Sequence, residues 1–133
     1  MELSDLFSAK VRFIRAEGKD IKAEEIEKLF PPLSLFISVM DGAEVPDKES
    51  LLKSLASVLR FPAYFGYNWD ALLDCMRSLP DFTGAKNHIL IIKNSNLFLK
   101  DSQGALAVFR ETVEEAADFL EENYKGFLKV VLS

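Results

Sequence analysis

Three apolar runs, each short enough to be a strand, are separated by stretches of helical period, and this alternation constrains the chain more than any other feature. The runs are Leu35-Phe-Ile-Ser-Val-Met40, closed by Asp41-Gly42, then His88-Ile-Leu-Ile-Ile-Lys93, then Phe127-Leu-Lys-Val-Val-Leu132. Nearly continuous apolar character is the pattern of strands buried on both faces. Between the first two runs, Asp47 is placed to cap a helix in which Leu51, Leu52, Leu55, Ala56 and Leu59 recur at helical spacing before Pro62. Asn68 is placed to cap a second helix from about Trp69 to Leu79, with Pro80 just beyond its end. Between the second and third runs a long helix begins near Ala105. Its apolar stripe passes through Leu106, Phe109, Val113, Ala116, Leu120 and Tyr124, and Gly126 is the expected stop. Strands joined by helices pair in parallel, because a parallel connection must cross over the sheet. The expected fold is therefore α/β, a small parallel sheet of three core strands packed with helices. In front of it, Lys10-Val-Arg-Phe-Ile-Arg15 alternates weakly like a sheet-edge strand, and Ala23 to Phe30 reads as a short helix closed by Pro31-Pro32. We read residues 1–34 as an N-terminal strand and helix extension packed on the same domain.

Composition narrows the functional classes. At 133 residues, 49% of them hydrophobic and eleven of them Phe, one domain can bury a core without covalent staples. Cys75 is the only cysteine and His88 the only histidine, so neither an internal disulfide nor a cysteine- or histidine-rich metal site can be built. The N-terminal stretch lacks the basic start and apolar run of a secretory signal, and no apolar run is long enough for a membrane span. We expect a cytoplasmic protein with no membrane contact, most simply a monomer. The net charge of −5 disfavours direct binding of nucleic acid, which needs clustered Lys and Arg. The acid concentrates in residues 61–81 and 109–133, which fits either a basic protein partner or solvated helix faces. The six Gly are scattered and form no phosphate loop, and we expect no cofactor, no metal and no catalytic activity.

On the helix after Asn68, a wheel of 100° per residue gathers Leu72, Met76 and Leu79, with Trp69 and Cys75 on the flanks, and sets Asp70 and Asp74 nearly opposite. Two carboxylates one turn apart on a convex face lack the pocket that acid–base chemistry needs. By spacing alone they are a capping and a solubilising pair, or a contact surface. Cys75 on the apolar flank and His88 opening a buried strand read as structural residues and not as a nucleophile and base. The preceding segment, Phe61-Pro-Ala-Tyr-Phe-Gly-Tyr-Asn68, packs four aromatics around Gly66, which is expected to take the positive φ that turns the chain into the helix. Exposed Tyr beside exposed carboxylates on a rigid element is the composition of a protein-binding hot spot.

The segment Phe61-Pro-Ala-Tyr-Phe-Gly-Tyr-Asn-Trp-Asp-Ala-Leu-Leu-Asp-Cys75 resembles the hallmark of the barstar family, intracellular inhibitors of the bacterial ribonuclease barnase. The resemblance runs from about residue 35 to 133, through Asp41-Gly42, Val108-Phe-Arg-Glu111 and the closing Val-Leu-Ser, and it implies a barstar-like domain over 35–133. Thr112 to Phe127 is longer than in barstar itself. The resemblance implies a bacterial ribonuclease as protein partner, its active site capped by this helix and loop. Asp74 would enter the phosphate site, Asp70 lie beside it, Tyr64 give an aromatic contact, Asn68 a polar one and Glu111 a further acidic one. Leu73, also in the contact surface, stands where barstar carries Trp, and a large flat contact is lost there. The alternative is a non-enzymatic binding module whose basic partner is not a ribonuclease.

Overall fold

A computed structural model describes residue 8 and residues 11–31 and 34–133. The first strand, β1 (Phe13–Arg15), leads to α1 (Ala23–Glu27), followed by β2 (Leu35–Asp41), α2 (Lys48–Val58), α3 (Trp69–Arg77) and α4 (Leu79–Thr83). Then come β3 (Asn87–Lys93), the long α5 (Gln103–Tyr124) and β4 (Leu128–Leu132). All strand pairs are parallel, in the order β1-β4-β3-β2. The three expected core strands are present, and the sheet has a fourth because the edge-like segment pairs Phe13 with Val130 and Arg15 with Leu132. Lys10, the expected start of that strand, and Pro32 lie outside the described residues.

Each strand sends alternate residues to opposite faces, and the two faces have different covers. Met40, Leu90, Ile92, Leu128 and Val130 pack against α2, α3 and α5 through Leu51, Leu55, Leu72, Met76, Phe109, Val113 and Leu120. Ile89, Ile91 and Val131 face the other way, where Ile14, Ala16, Ile21 and Ile26 close over them. The segment carrying β1 and α1 thus builds the cover of one sheet face. Buried Lys129 fixes it further, donating to the carbonyls of Ser8, at 2.6 Å, and Val11. Arg12 bridges Glu114, Asp118 and Glu121 on successive turns of α5 at 2.9, 2.9 and 3.1 Å.

Four local expectations are corrected. The helix expected to reach Leu79 ends at Arg77, and Pro80, beyond its end, opens a separate short helix, α4, in whose first turn a missing N–H costs nothing. The expected helix to Phe30 ends at Glu27 and unwinds through three-residue turns, Leu29 N–H to Ile26 O and Phe30 N–H to Glu27 O. Lys125, at φ 58°, takes the left-handed position that ends α5, while Gly126 is required for space, since a Cβ there would come within 1.9 Å of the Lys86 carbonyl. Gly66 likewise has no positive φ. It lies beside the Asn68 amide, and the left-handed residue is Tyr67 at φ 53°.

Candidate partner-binding surface

The loop before α3 is fixed at both ends. The end of α2 closes with Arg60 at φ 59° and the Phe61 N–H donating to the Ala56 carbonyl at 3.0 Å, which reverses the chain at Pro62. Phe65 N–H then bonds to the Pro62 carbonyl at 3.0 Å, a four-residue turn with Ala63 and Tyr64 at its corners. Phe65 turns inward and is buried, against Phe61 and Tyr67 at ring distances of 4.9 and 4.7 Å, and Phe61 continues to Phe82 at 6.4 Å. Tyr64 is left at the tip, 78% exposed.

Asn68 starts α3. Its Oδ1 accepts from the Ala71 N–H at 2.8 Å and its Nδ2 donates to the Gly66 carbonyl at 3.2 Å, so half of its hydrogen-bonding capacity is engaged in the local fold. The cap sets the rotation of the helix. Leu72, Cys75 and Met76 are buried, Trp69 and Leu73 half-buried, and Asp70 and Asp74 exposed, as the wheel requires. Among the described residues neither carboxylate has a hydrogen bond or an ion pair. The Asp74 charge is felt by its neighbour: burial, and then that charge, raise the Cys75 thiol pKa above its ordinary value.

Helices α3 and α5 pack against each other. Arg77 reaches Glu115 at 3.2 Å and stacks on Phe119, and further along Tyr124 donates to Asp81 at 3.3 Å. Glu111 lies one turn before Glu115 on α5, and Leu73 and Asp74 lie one turn before Arg77 on α3. Glu111 is exposed and, among the described residues, has no ion pair, in contrast to Glu114, Asp118 and Glu121 on the stripe held by Arg12. Tyr64, Asn68, Asp70, Leu73 and Asp74 thus lie on one loop and helix, and Glu111 lies on the neighbouring α5, one turn before the Glu115 that meets Arg77. The seam that places Glu111 there is a tertiary contact with no local sequence signal.

Among the described residues no three His, Cys, Asp or Glu are grouped to hold a metal ion, and no helix is long and apolar enough to cross a membrane. Cys75 and His88 are both buried: His88 bonds to Thr83 and packs near Phe36. A family model described as Barstar (barnase inhibitor) matches residues 35–132. A Bacillus subtilis (strain 168) protein named "Putative ribonuclease inhibitor YrdF" is 36% identical over 84 residues, which span 60% of this chain and 88% of that protein. From β2 to the end of β4, over the cap, the aromatic turn and the acidic face of α3, the chain belongs to the barstar family.

Proposed function

We propose that this protein is an inhibitor of a bacterial ribonuclease of the barnase type, acting in the cytoplasm by covering the enzyme's active site. The observation that carries the reading is the pair of exposed carboxylates on α3, Asp70 and Asp74, unpaired among the described residues, next to a tyrosine held out at the tip of a braced turn. A ribonuclease binds a polyanion and stabilises charge on a phosphate in transfer, so its cleft presents cationic donors. Carboxylates fixed on a helix can occupy those donors in place of RNA phosphates. In this reading Asp74 enters the phosphate site, Asp70 and Glu111 flank it, and Tyr64, Leu73 and the free half of the Asn68 amide contact the cleft walls.

Rigidity supports the assignment. The capped α3 is packed on Leu72 and Met76 and the turn is braced by Phe61 and Phe65, so little side-chain or loop freedom is lost on docking. Opposed charge also speeds encounter, an advantage where a toxic enzyme must be stopped before it meets RNA.

The test is a titration of RNA cleavage by barnase and other small bacterial ribonucleases of that type, with the wild-type protein and with Asp70→Ala/Asp74→Ala. Saturating inhibition at one-to-one stoichiometry, lost in the double variant, is the expected result. No inhibition of any enzyme by the folded wild-type protein overturns the reading.

A further inference from the structure

Two residues beside the acidic face depart from what local stability favours, and they line the same hollow. Tyr67 is a bulky residue at φ 53°, a conformation that favours Gly or Asn, and its ring is 54% exposed although one side rests on Phe65. Lys48 occupies the first turn of α2, where the helix dipole disfavours a cation. It is exposed and, among the described residues, pairs with no carboxylate. Its ammonium lies 5.4 Å from the centre of the Trp69 ring, which holds it beside the start of α3. Tyr67, Lys48, Glu49, Leu52 and Lys53 line a cavity of about 370 Å³. Glu49 is taken by Lys53 at 3.0 Å, which leaves Lys48 as the charge that a ligand would meet. Departures from local rules concentrate at functional positions.

We propose that Tyr67 and Lys48 form a second subsite of the docking surface, opposite in sign to the Asp70, Asp74 and Glu111 patch, which seats a carboxylate side chain on the rim of the partner ribonuclease's basic cleft. Tyr67 there supplies the broad aromatic contact that Leu73 does not offer on α3. The inference rests on the inhibitor reading above and adds to it a chemical requirement on the partner. A cleft with only basic surroundings would fit the α3 patch, and only one with an acidic residue at the matching edge would also fill this hollow.

The test compares inhibition constants of wild type, Tyr67→Asn, Lys48→Glu, the double variant and Asp74→Ala against the same panel, barnase included. Asn accepts the left-handed backbone, so Tyr67→Asn removes the ring without forcing the loop. We expect each single substitution to weaken inhibition about three- to tenfold, with Lys48→Glu less damaging at high salt and the double variant short of the product of the two. Unchanged inhibition in both single variants, with Asp74→Ala disabled, overturns the subsite and leaves the inhibitor reading intact. Tighter inhibition by Lys48→Glu also overturns it, because the partner would then present a cation there. No inhibition by wild type of any enzyme in the panel removes both readings together.

Discussion

Acidification from pH 7 to pH 5 should cost this protein about 2 kcal/mol of folding stability through one imidazole. His88 is the second residue of β3, is 1% exposed and packs near Phe36. Its Nε2 lies 2.6 Å from Thr83 Oγ1. That hydroxyl already donates to the Leu79 carbonyl at 3.0 Å, so it accepts from the ring, and the proton of the neutral imidazole is on Nε2. Nδ1 then carries a lone pair and, among the described residues, has no partner. A second proton on Nδ1 would add a charge to a buried ring with, among the described residues, no acceptor for it, and burial accordingly lowers the His88 pKa from 6.5 to about 4. In the unfolded chain the ring takes up its proton as the pH falls through 6.5, whereas the folded chain resists until about 4. Stability is thus full above the unfolded value, declines between 6.5 and 4, and levels off below, with a total loss of about 3 kcal/mol from this group. Asp20, Asp41 and Asp47, whose hydrogen bonds hold them below the ordinary carboxylate value of 3.8, titrate beneath this window. Urea unfolding followed by circular dichroism at pH 7, 6 and 5, on wild type and His88→Leu, measures the effect. A wild-type loss below about 0.5 kcal/mol, or an equal loss in His88→Leu, refutes the argument, because linkage allows the slope only where the folded and unfolded states differ in bound protons.

Three further outcomes follow from the geometry. Asp74→Ala should weaken ribonuclease inhibition by about thirtyfold or more while moving the melting temperature by less than about 2 °C, because an exposed carboxylate without a partner contributes little to folding; calorimetry alongside the inhibition titration separates the two. Asn68→Ala removes the acceptor for the Ala71 N–H and should cost about 1 kcal/mol of stability, read from thermal unfolding, in addition to any loss in binding. Gly126→Ala drives a methyl into the Lys86 carbonyl and should destabilise by about 3 kcal/mol, seen as a lower denaturant midpoint.

What the sequence made legible was whatever has a period or a cap. The apolar runs became β2, β3 and β4; Asp47 and Asn68 cap the helices they precede; and the wheel placed Asp70 and Asp74 outward because Leu72 and Met76 must point in. Readings failed where one residue type serves two physical ends. Proline both follows a helix and suits the first turn of the next, and at residue 80 it does both, so a second short helix went unread. Glycine both accepts a positive φ and permits close approach; at residues 66 and 126 only space is at issue, and Tyr67 and Lys125 carry the left-handed backbone. The partner of β1 was not legible either, since strand pairing across the whole chain leaves no local mark. The same holds for the site, where Tyr64 and the two aspartates are local but the placement of Glu111 depends on Arg77 meeting Glu115.

The register of β1 bears on the order of assembly. Among the described residues, Phe13, Ile14 and Arg15 find their backbone partners only in Val130, Val131 and Leu132. On a ribosome, therefore, a strand made early must wait for one made late before it can dock. Until then the nascent chain holds Ile89 and Ile91 without the completed lid of Ile14, Ile21 and Ile26. Closing so long a loop comes after the local helices have formed, and it makes the docking of β1 the slow, aggregation-exposed step of folding.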